Sequence, residues 1–416
     1  MSGVRAVLAL VSASLLAACG SDPAADGGGD DGDDGSETTP DYTRSPCYGS
    51  QRSTEVYDPT THMPRPITAT CRAEGDQTLV YVADEIWDVS LEPGAPAITQ
   101  SEVNAFMAGY ELRGRPSSFD PELGVLPADE VVFGTLLPDR LTDGKLPVFI
   151  VDSGGVGEGY LCSWCPGLEF HMDGPLLRSL HTDKTLSIAA HETFHAIHRG
   201  YDADENIWVD ETLAQAAMTA NGFFTDGDWL DAFLENTNDA WGPGVDDPLT
   251  YQYGAGLLFG TYLWEKGGRS LLRAITSEPL NDWAGIDAAL ATTGNAKDAF
   301  GLYLDMGLAT FLDDPSTGFS FENFDLAGQV LPAIVETGET YTAAIQAYGL
   351  VFMVFDENAR NLTLESGTNV STRLVLDGRP TEVLELEPGV PVNFDSTPRV
   401  LLLTARQTAM ATVSVR

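Results

Sequence analysis

Two histidines and a glutamate carry the strongest chemical signal in this sequence, in the run His191-Glu192-Thr193-Phe194-His195. On a helix, residues four apart lie one above the other, so His191 and His195 share a face. Two imidazoles so placed can reach one metal ion, and zinc takes nitrogen ligands readily. Glu192 sits one step round from His191. It points beside the metal position, where it can take a proton from water. Ile188, Ala189, Ala190, Phe194 and Ile197 are apolar or small, so this helix is expected to be buried. Polar groups inside a buried helix are costly unless they are hydrogen-bonded, paired or metal-bound. The competing reading is a pair of satisfied core histidines.

A metal needs a third protein ligand. The extended pattern HExxHxxGxxH fails here, because His198 stands at the glycine position and Tyr201 at the last histidine position. The remaining candidates are acids further on. In the run from Asn206 to Ala214, Glu211 shares a helical stripe with Ile207, Ala214 and Met218, an awkward place for a carboxylate without a partner or a metal. Asp210, about 100° away on the helical wheel, is a weaker candidate. Asp202, Asp204 and Glu205 lie in the intervening loop.

These residues resemble the gluzincin-type metallopeptidases, in which an HExxH helix precedes a helix bearing Trp-x-x-Glu-Gly-x-Ala. Trp208, Glu211 and Ala214 match that pattern, with Thr212 in place of the glycine. The segment from Tyr251 to Leu263 is similar to one in secreted bacterial peptidases of the hyicolysin and immune-inhibitor-A type. The likeness spans roughly residues 78–310 and is concentrated at 187–218. It implies a zincin-like catalytic domain. One zinc per chain would be held by His191, His195 and Glu211, with Glu192 as general base toward a metal-activated water. It further implies an oxyanion donor, for which Tyr253 is the first choice and Tyr251, His198 and Tyr201 are rivals. Gln215 and Asp210 are candidates to fix the ligand histidines.

The elements that must position these residues can be read more coarsely. At 416 residues the chain is too long for one ordinary domain. The overall class expected is α+β. Residues 46–185 read as a mixed α/β subdomain, with buried strands at 79–83 and 146–151 and a helix over 101–110 capped by Ser101. Residues 186–335 read as a helical catalytic subdomain, with helices over 187–200, 206–221, 253–266, 271–276 and 296–311. Gly267-Gly268 is expected to stop the third of these. Residues 340–416 show short alternating runs and turn pairs such as Asp377-Gly378, the pattern of a small all-β module, plausibly a sandwich.

The start of the chain reads as an address. A short apolar run after Arg5 ends in Leu16-Ala17-Ala18-Cys19, which resembles the lipobox of bacterial lipoproteins. That implies a signal peptide over 1–18 and diacylation of the Cys19 sulfur, with palmitate-class chains. The implied location is an extracytoplasmic membrane face, with the outer membrane favoured. Residues 19–45 are rich in Gly and Asp and read as a disordered tether. Calcium is a second candidate ion on this aspartate run, but the spacing is not that of an EF-hand and nothing else supports it. Set beside a lipidated Cys19, the remaining Cys47, Cys71, Cys162 and Cys165 suggest two disulfides, paired by proximity as Cys47–Cys71 and Cys162–Cys165. Pro166-Gly167 argues against a redox role for the second pair, because it blocks the helix that a redox CxxC opens.

The formal net charge of -40 repels phosphate backbones and excludes nucleic acid as an expected partner. A protein or peptide substrate, a membrane through the lipid and a monomeric chain are expected. The rival reading is a lipid-anchored binding or adhesion protein that keeps the metal helix only as structure.

Overall fold

The structure is a computed structural model. It describes residues 40–416 apart from 59–60, 62, 90–96, 156, 166, 178, 225–226, 240–241, 244–249, 377–378 and 395–397. The expected signal segment, Cys19, the aspartate run and the Asp377-Gly378 turn lie outside the described residues. A single 3-10 turn, Tyr42–Arg44, falls in the last residues of the expected tether. The chain is mixed α and β and gathers into two compact units. The first takes in the described residues up to Arg115, with Asp120–Pro127 and Leu137–Glu192. The second comprises Pro116–Phe119, Ala128–Leu136 and Thr193–Arg416.

The first unit is built on a six-stranded sheet in the order β1-β2-β3-β4-β6-β5. Its strands are β1 (Gln51–Asp58), β2 (Met63–Glu74), β3 (Thr78–Ala83), β4 (Leu146–Val151), β5 (Gly159–Leu161) and β6 (Phe170–Asp173). The central strands β3, β4 and β6 run parallel, while β1, β2 and β5 pair antiparallel to their neighbours. Every residue of β3 and β4 is buried. Parallel strands covered on both faces favour such unbroken apolar runs, which is why these two were legible in the sequence. The crossover between them contains α1 (Gln100–Met107) and α2 (Val125–Phe133), and α3 (Gly174–Leu177) follows β6. Helix α1 starts one residue before Ser101, so Ser101 is not its cap. Thr99 holds the cap position with no side-chain hydrogen bond, and the last turn relaxes into a π-helical stretch over Ala108–Leu112.

The helix α4 (Asp183–Tyr201) contributes to both units, the division falling after Glu192. The second unit continues with α5 (Ile207–Ala220), α6 (Gly227–Glu235), α7 (Thr250–Thr276), α8 (Asp282–Thr292) and α9 (Ala299–Leu312). In α9 every side chain but Phe311 is buried, as in a helix surrounded by core. The helix expected to stop at Gly267-Gly268 does break there, since Gly268 takes φ 57 and ψ -163. It resumes at once, so α7 is a kinked run through Thr276.

Among the described residues, the same unit ends in nine strands. One sheet has the order β13-β10-β15-β8, the other β12-β11-β14-β9-β7. These are β7 (Ala333–Val335), β8 (Thr340–Ile345), β9 (Val351–Phe355), β10 (Asn361–Ser366), β11 (Val370–Leu376), β12 (Arg379–Leu384), β13 (Pro391–Asn393), β14 (Pro398–Ala405) and β15 (Ala409–Val415). Ile345, Leu362, Leu364 and Val413 of the first sheet share one core with Met353, Leu374, Leu401 and Leu403 of the second. The module is therefore a two-sheet sandwich. It begins with β7, earlier than residue 340, because β7 pairs in parallel with β9.

Candidate metal centre

Helix α4 has no proline and no glycine before Gly200, and its first-turn Asp183 and last-turn His198 and Arg199 oppose the helix dipole. It starts four residues earlier than the apolar pattern suggests. The Thr182 hydroxyl accepts the Thr185 N–H at 3.2 Å and caps the first turn. His191 is 7% exposed and Glu192 4%, so the polar group of the helix is buried as its neighbours imply.

Helix α5 is fixed by its own contacts. The Trp208 indole donates to Asp282 at 3.0 Å and packs, tilted by 36°, against Trp283. Thr212, where the resembled pattern has glycine, turns its hydroxyl back to the Trp208 carbonyl at 2.6 Å, satisfying it within the helix. Gly260 lets α7 approach closely: a Cβ there would lie 2.3 Å from the Thr212 carbonyl oxygen. The far end of α5 is held by Asn221, which donates to the fully buried Asp129 at 2.7 Å.

His191, His195 and Glu211 come together. One ligand atom from each lies within 4.8 Å of the others. The two nitrogens of His195 are divided between two acids. Nε2 is 3.7 Å from Glu211 Oε1, and Nδ1 is 2.9 Å from Asp210 Oδ2. The other oxygen of Asp210 is 2.6 Å from His198 Nδ1, so one carboxylate bridges two imidazoles. Burial by itself would raise the Asp210 carboxyl, but the imidazoles of His195 and His198 outweigh it and hold the group well below the usual carboxylate range. Asp210 was the weaker ligand candidate in the sequence. In the structure it stands against His195 Nδ1, where a carboxylate can fix the ring and its tautomer.

Two imidazole nitrogens and a carboxylate oxygen at these separations suit a divalent metal ion. Neighbouring ligands of a tetrahedral zinc with bonds near 2.0–2.1 Å stand about 3.3–3.4 Å apart. The His195 Nε2 to Glu211 Oε1 separation of 3.7 Å lies close to that value.

Gly159 was not singled out by its sequence. It opens β5 directly over α4: a Cβ at this position would lie 2.6 Å from Ile188 Cγ2, 3.0 Å from Glu192 Cγ and 3.1 Å from Glu192 Oε1. A glycine two residues after Gly157 has no distinguishing neighbour in the sequence, so only the fold reveals this approach.

The rival oxyanion donors are placed as follows. Tyr253 is half-buried on α7 with its ring stacked on Trp229, centroids 4.9 Å apart. Tyr201 accepts the Thr135 N–H at 3.1 Å through its hydroxyl, His198 is engaged with Asp210, and Tyr251 lies in the first turn of α7. Gln215 is fully buried on α5, one turn beyond Glu211.

Both cysteine pairings expected from proximity are present as disulfides, Cys47–Cys71 and Cys162–Cys165. Among the described residues, no helix is long and apolar enough to cross a membrane. No protein-family model matches this chain, and no curated protein matches its sequence.

Proposed function

We propose that this chain is a zinc-dependent endopeptidase of the gluzincin type, exported and anchored to a bacterial membrane by a lipid on Cys19. The observation that carries the reading is the division of His195, with Nδ1 on Asp210 and Nε2 turned to Glu211. A histidine retained only for packing has no need of a carboxylate on each nitrogen.

His191, His195 and Glu211 would hold the zinc, leaving the fourth position of a catalytic site to water or substrate. When bound, zinc supplies Lewis acidity that polarises a carbonyl and acidifies a water. Glu192 adjoins the group without being one of the three donors, so its carboxylate accepts the proton of the attacking water and returns it to the leaving amine. Asp210 keeps the Nδ1 proton on His195, which leaves the Nε2 lone pair for the metal. Tyr253 is the proposed donor to the developing oxyanion.

A peptide substrate is favoured by β5. Its only strand neighbour among the described residues is β6, so it is a sheet edge with backbone groups open to an added strand. An extended peptide pairing there would run past Gly159, where an added Cβ would lie 3.1 Å from Glu192 Oε1.

The test combines metal analysis with proteolysis. Purified protein is expected to contain about one zinc per chain and to cleave casein until a chelator removes the metal. Glu192→Gln is expected to keep the zinc and lower hydrolysis by about 10²–10⁴-fold. A variant that cleaves like the wild type defeats the mechanism, and protein with no bound zinc defeats the site.

A further inference from the structure

The hairpin of β5 and β6 carries a second constellation that the peptidase reading does not use. Between the strands lie Cys162 and Cys165, joined as a disulfide, then Glu169, then His171 on β6. Ligand atoms of all four lie within 4.8 Å of one another. Cys162, Glu169 and His171 are buried, at 4%, 1% and 0% exposure. The loop is pinned by the Cys162 N–H donating to the Glu169 carbonyl at 3.0 Å.

We propose that this is a second zinc site, closed while Cys162 and Cys165 are a disulfide and opened by a dithiol reductant. The dithiol gives up two electrons and two protons and becomes a disulfide. The protein S–S bond breaks to two thiols, which release those two protons as zinc binds. The site offers four donors of the kinds that zinc takes, nitrogen, oxygen and sulfur, beginning with a two-residue cysteine spacing. This inference concerns other ligands than the peptidase reading and does not depend on it.

Three features of the surroundings suit a metal. His171 Nε2 is 3.2 Å from Glu169 Oε1, close to the separation of about 3.3 Å between a nitrogen and an oxygen ligand of one tetrahedral zinc. The other nitrogen, Nδ1, is 3.0 Å from the Tyr160 hydroxyl, so a proton moved to Nδ1 stays hydrogen-bonded when Nε2 takes the metal. Trp164 stacks on Tyr160. Charge also balances. Two thiolates, one carboxylate and a divalent ion sum to minus one, and Arg52 lies 2.8 Å from the second oxygen of Glu169. Its guanidinium packs over Phe149 at 5.4 Å and brings the group to neutrality, the condition for burying it cheaply. The disulfide form, with only Glu169 and Arg52 charged, is neutral as well.

Cobalt(II) tests the site in the full-length protein, because a cobalt–thiolate bond gives a near-ultraviolet charge-transfer band that nitrogen and oxygen ligands do not. The His191, His195 and Glu211 group therefore cannot supply the signal. Oxidised protein is expected to give no band. Protein reduced with dithiothreitol and desalted is expected to give it, saturating at one cobalt per chain. His171→Ala and Glu169→Gln are each expected to weaken cobalt at least tenfold, and Tyr160→Phe about tenfold. The double variant Cys162→Ser with Cys165→Ser should abolish the band. Absence of the band in reduced wild type, with thiol titration confirming that the disulfide has opened, overturns the proposal. So does equal affinity in the His171 and Glu169 variants, which would mean that loose thiols alone bind. Persistence of the band in the double cysteine variant assigns it to the remaining Cys19, Cys47 and Cys71 and also overturns it.

Discussion

The two candidate metal groups of this molecule differ in backbone and in donors. One sits on α4 and α5, where the helical repeat stacks His191 on His195 and the next helix brings Glu211. The other sits on a strand and a loop, where β6 carries His171, Glu169 lies just before the strand and a tight loop supplies two sulfurs. The first has three nitrogen and oxygen donors with Glu192 alongside, and under the proposed function it would keep a place for a reactant. The second has four donors, two of them sulfur, and a counter-charge from Arg52, the make-up of a centre with no place left. Ligand count and the role of the neighbouring acid separate a reactive centre from a structural one more clearly than metal affinity does.

Three substitutions sharpen or break that contrast. The largest effect is expected from Gly159→Ala. The added methyl would press on Ile188 and Glu192, and a displacement near 1 Å can lower the rate about 10²-fold. Metal content should stay unchanged. Loss of metal together with activity would mean that Glu192 and the ligands move as one body. Next comes Asp210→Asn, which leaves one of the two imidazoles facing an amide. Zinc affinity, measured by competition with a chromophoric chelator, should fall about 10–100-fold, while the cobalt–thiolate band of the reduced loop stays as it is. Unchanged affinity would remove Asp210 from the support of His195.

The smallest effect is expected at Asp129, which anchors the end of α5. Burial raises its carboxyl well above the usual range, against a weaker lowering by the Asn221 hydrogen bond. The stability this group contributes is thus complete below about pH 4, its unfolded range, and is lost as pH rises through the folded value. Asp129→Asn keeps the acceptor and removes the charge. Melting temperatures of variant and wild type should agree near pH 4, and the variant should gain as pH increases, by about 2–4 °C per kcal/mol. A constant difference across pH would show that folding leaves the affinity of the Asp129 carboxyl for its proton unchanged.

Much of the helical centre could be read before the fold was known. The period of α4 and α5 is strong, and a glutamate on the apolar stripe of α5 stands out because burial penalises it. The paired sheets of the C-terminal module were readable from alternation and turn residues. The second group was not, for a physical reason. Assigning Cys162 and Cys165 to a disulfide removes them as ligands, and the remaining Glu169-Phe170-His171 looks like an ordinary strand alternation. The joint spacing of two cysteines, a glutamate and a histidine was the available signal. Strand β5 was hidden for a different reason: three residues carry no period, and its importance lies in the missing side chain of Gly159. The start of α4 was missed because Thr182, a polar residue outside the apolar pattern, begins it.

The bond between Cys47 and Cys71 has a mechanical side. Strand β1 is an outer strand of its sheet, and the chain reaches it from the amino-terminal direction through Cys47. Tension arriving along that stretch would otherwise peel β1 away one hydrogen bond at a time. Because Cys47 is welded to Cys71 in the neighbouring strand β2, the load bypasses β1 and enters one strand deeper, where the backbone is paired on both sides. A molecule held by its leading segment in moving fluid would be pulled in shear across two strands at once.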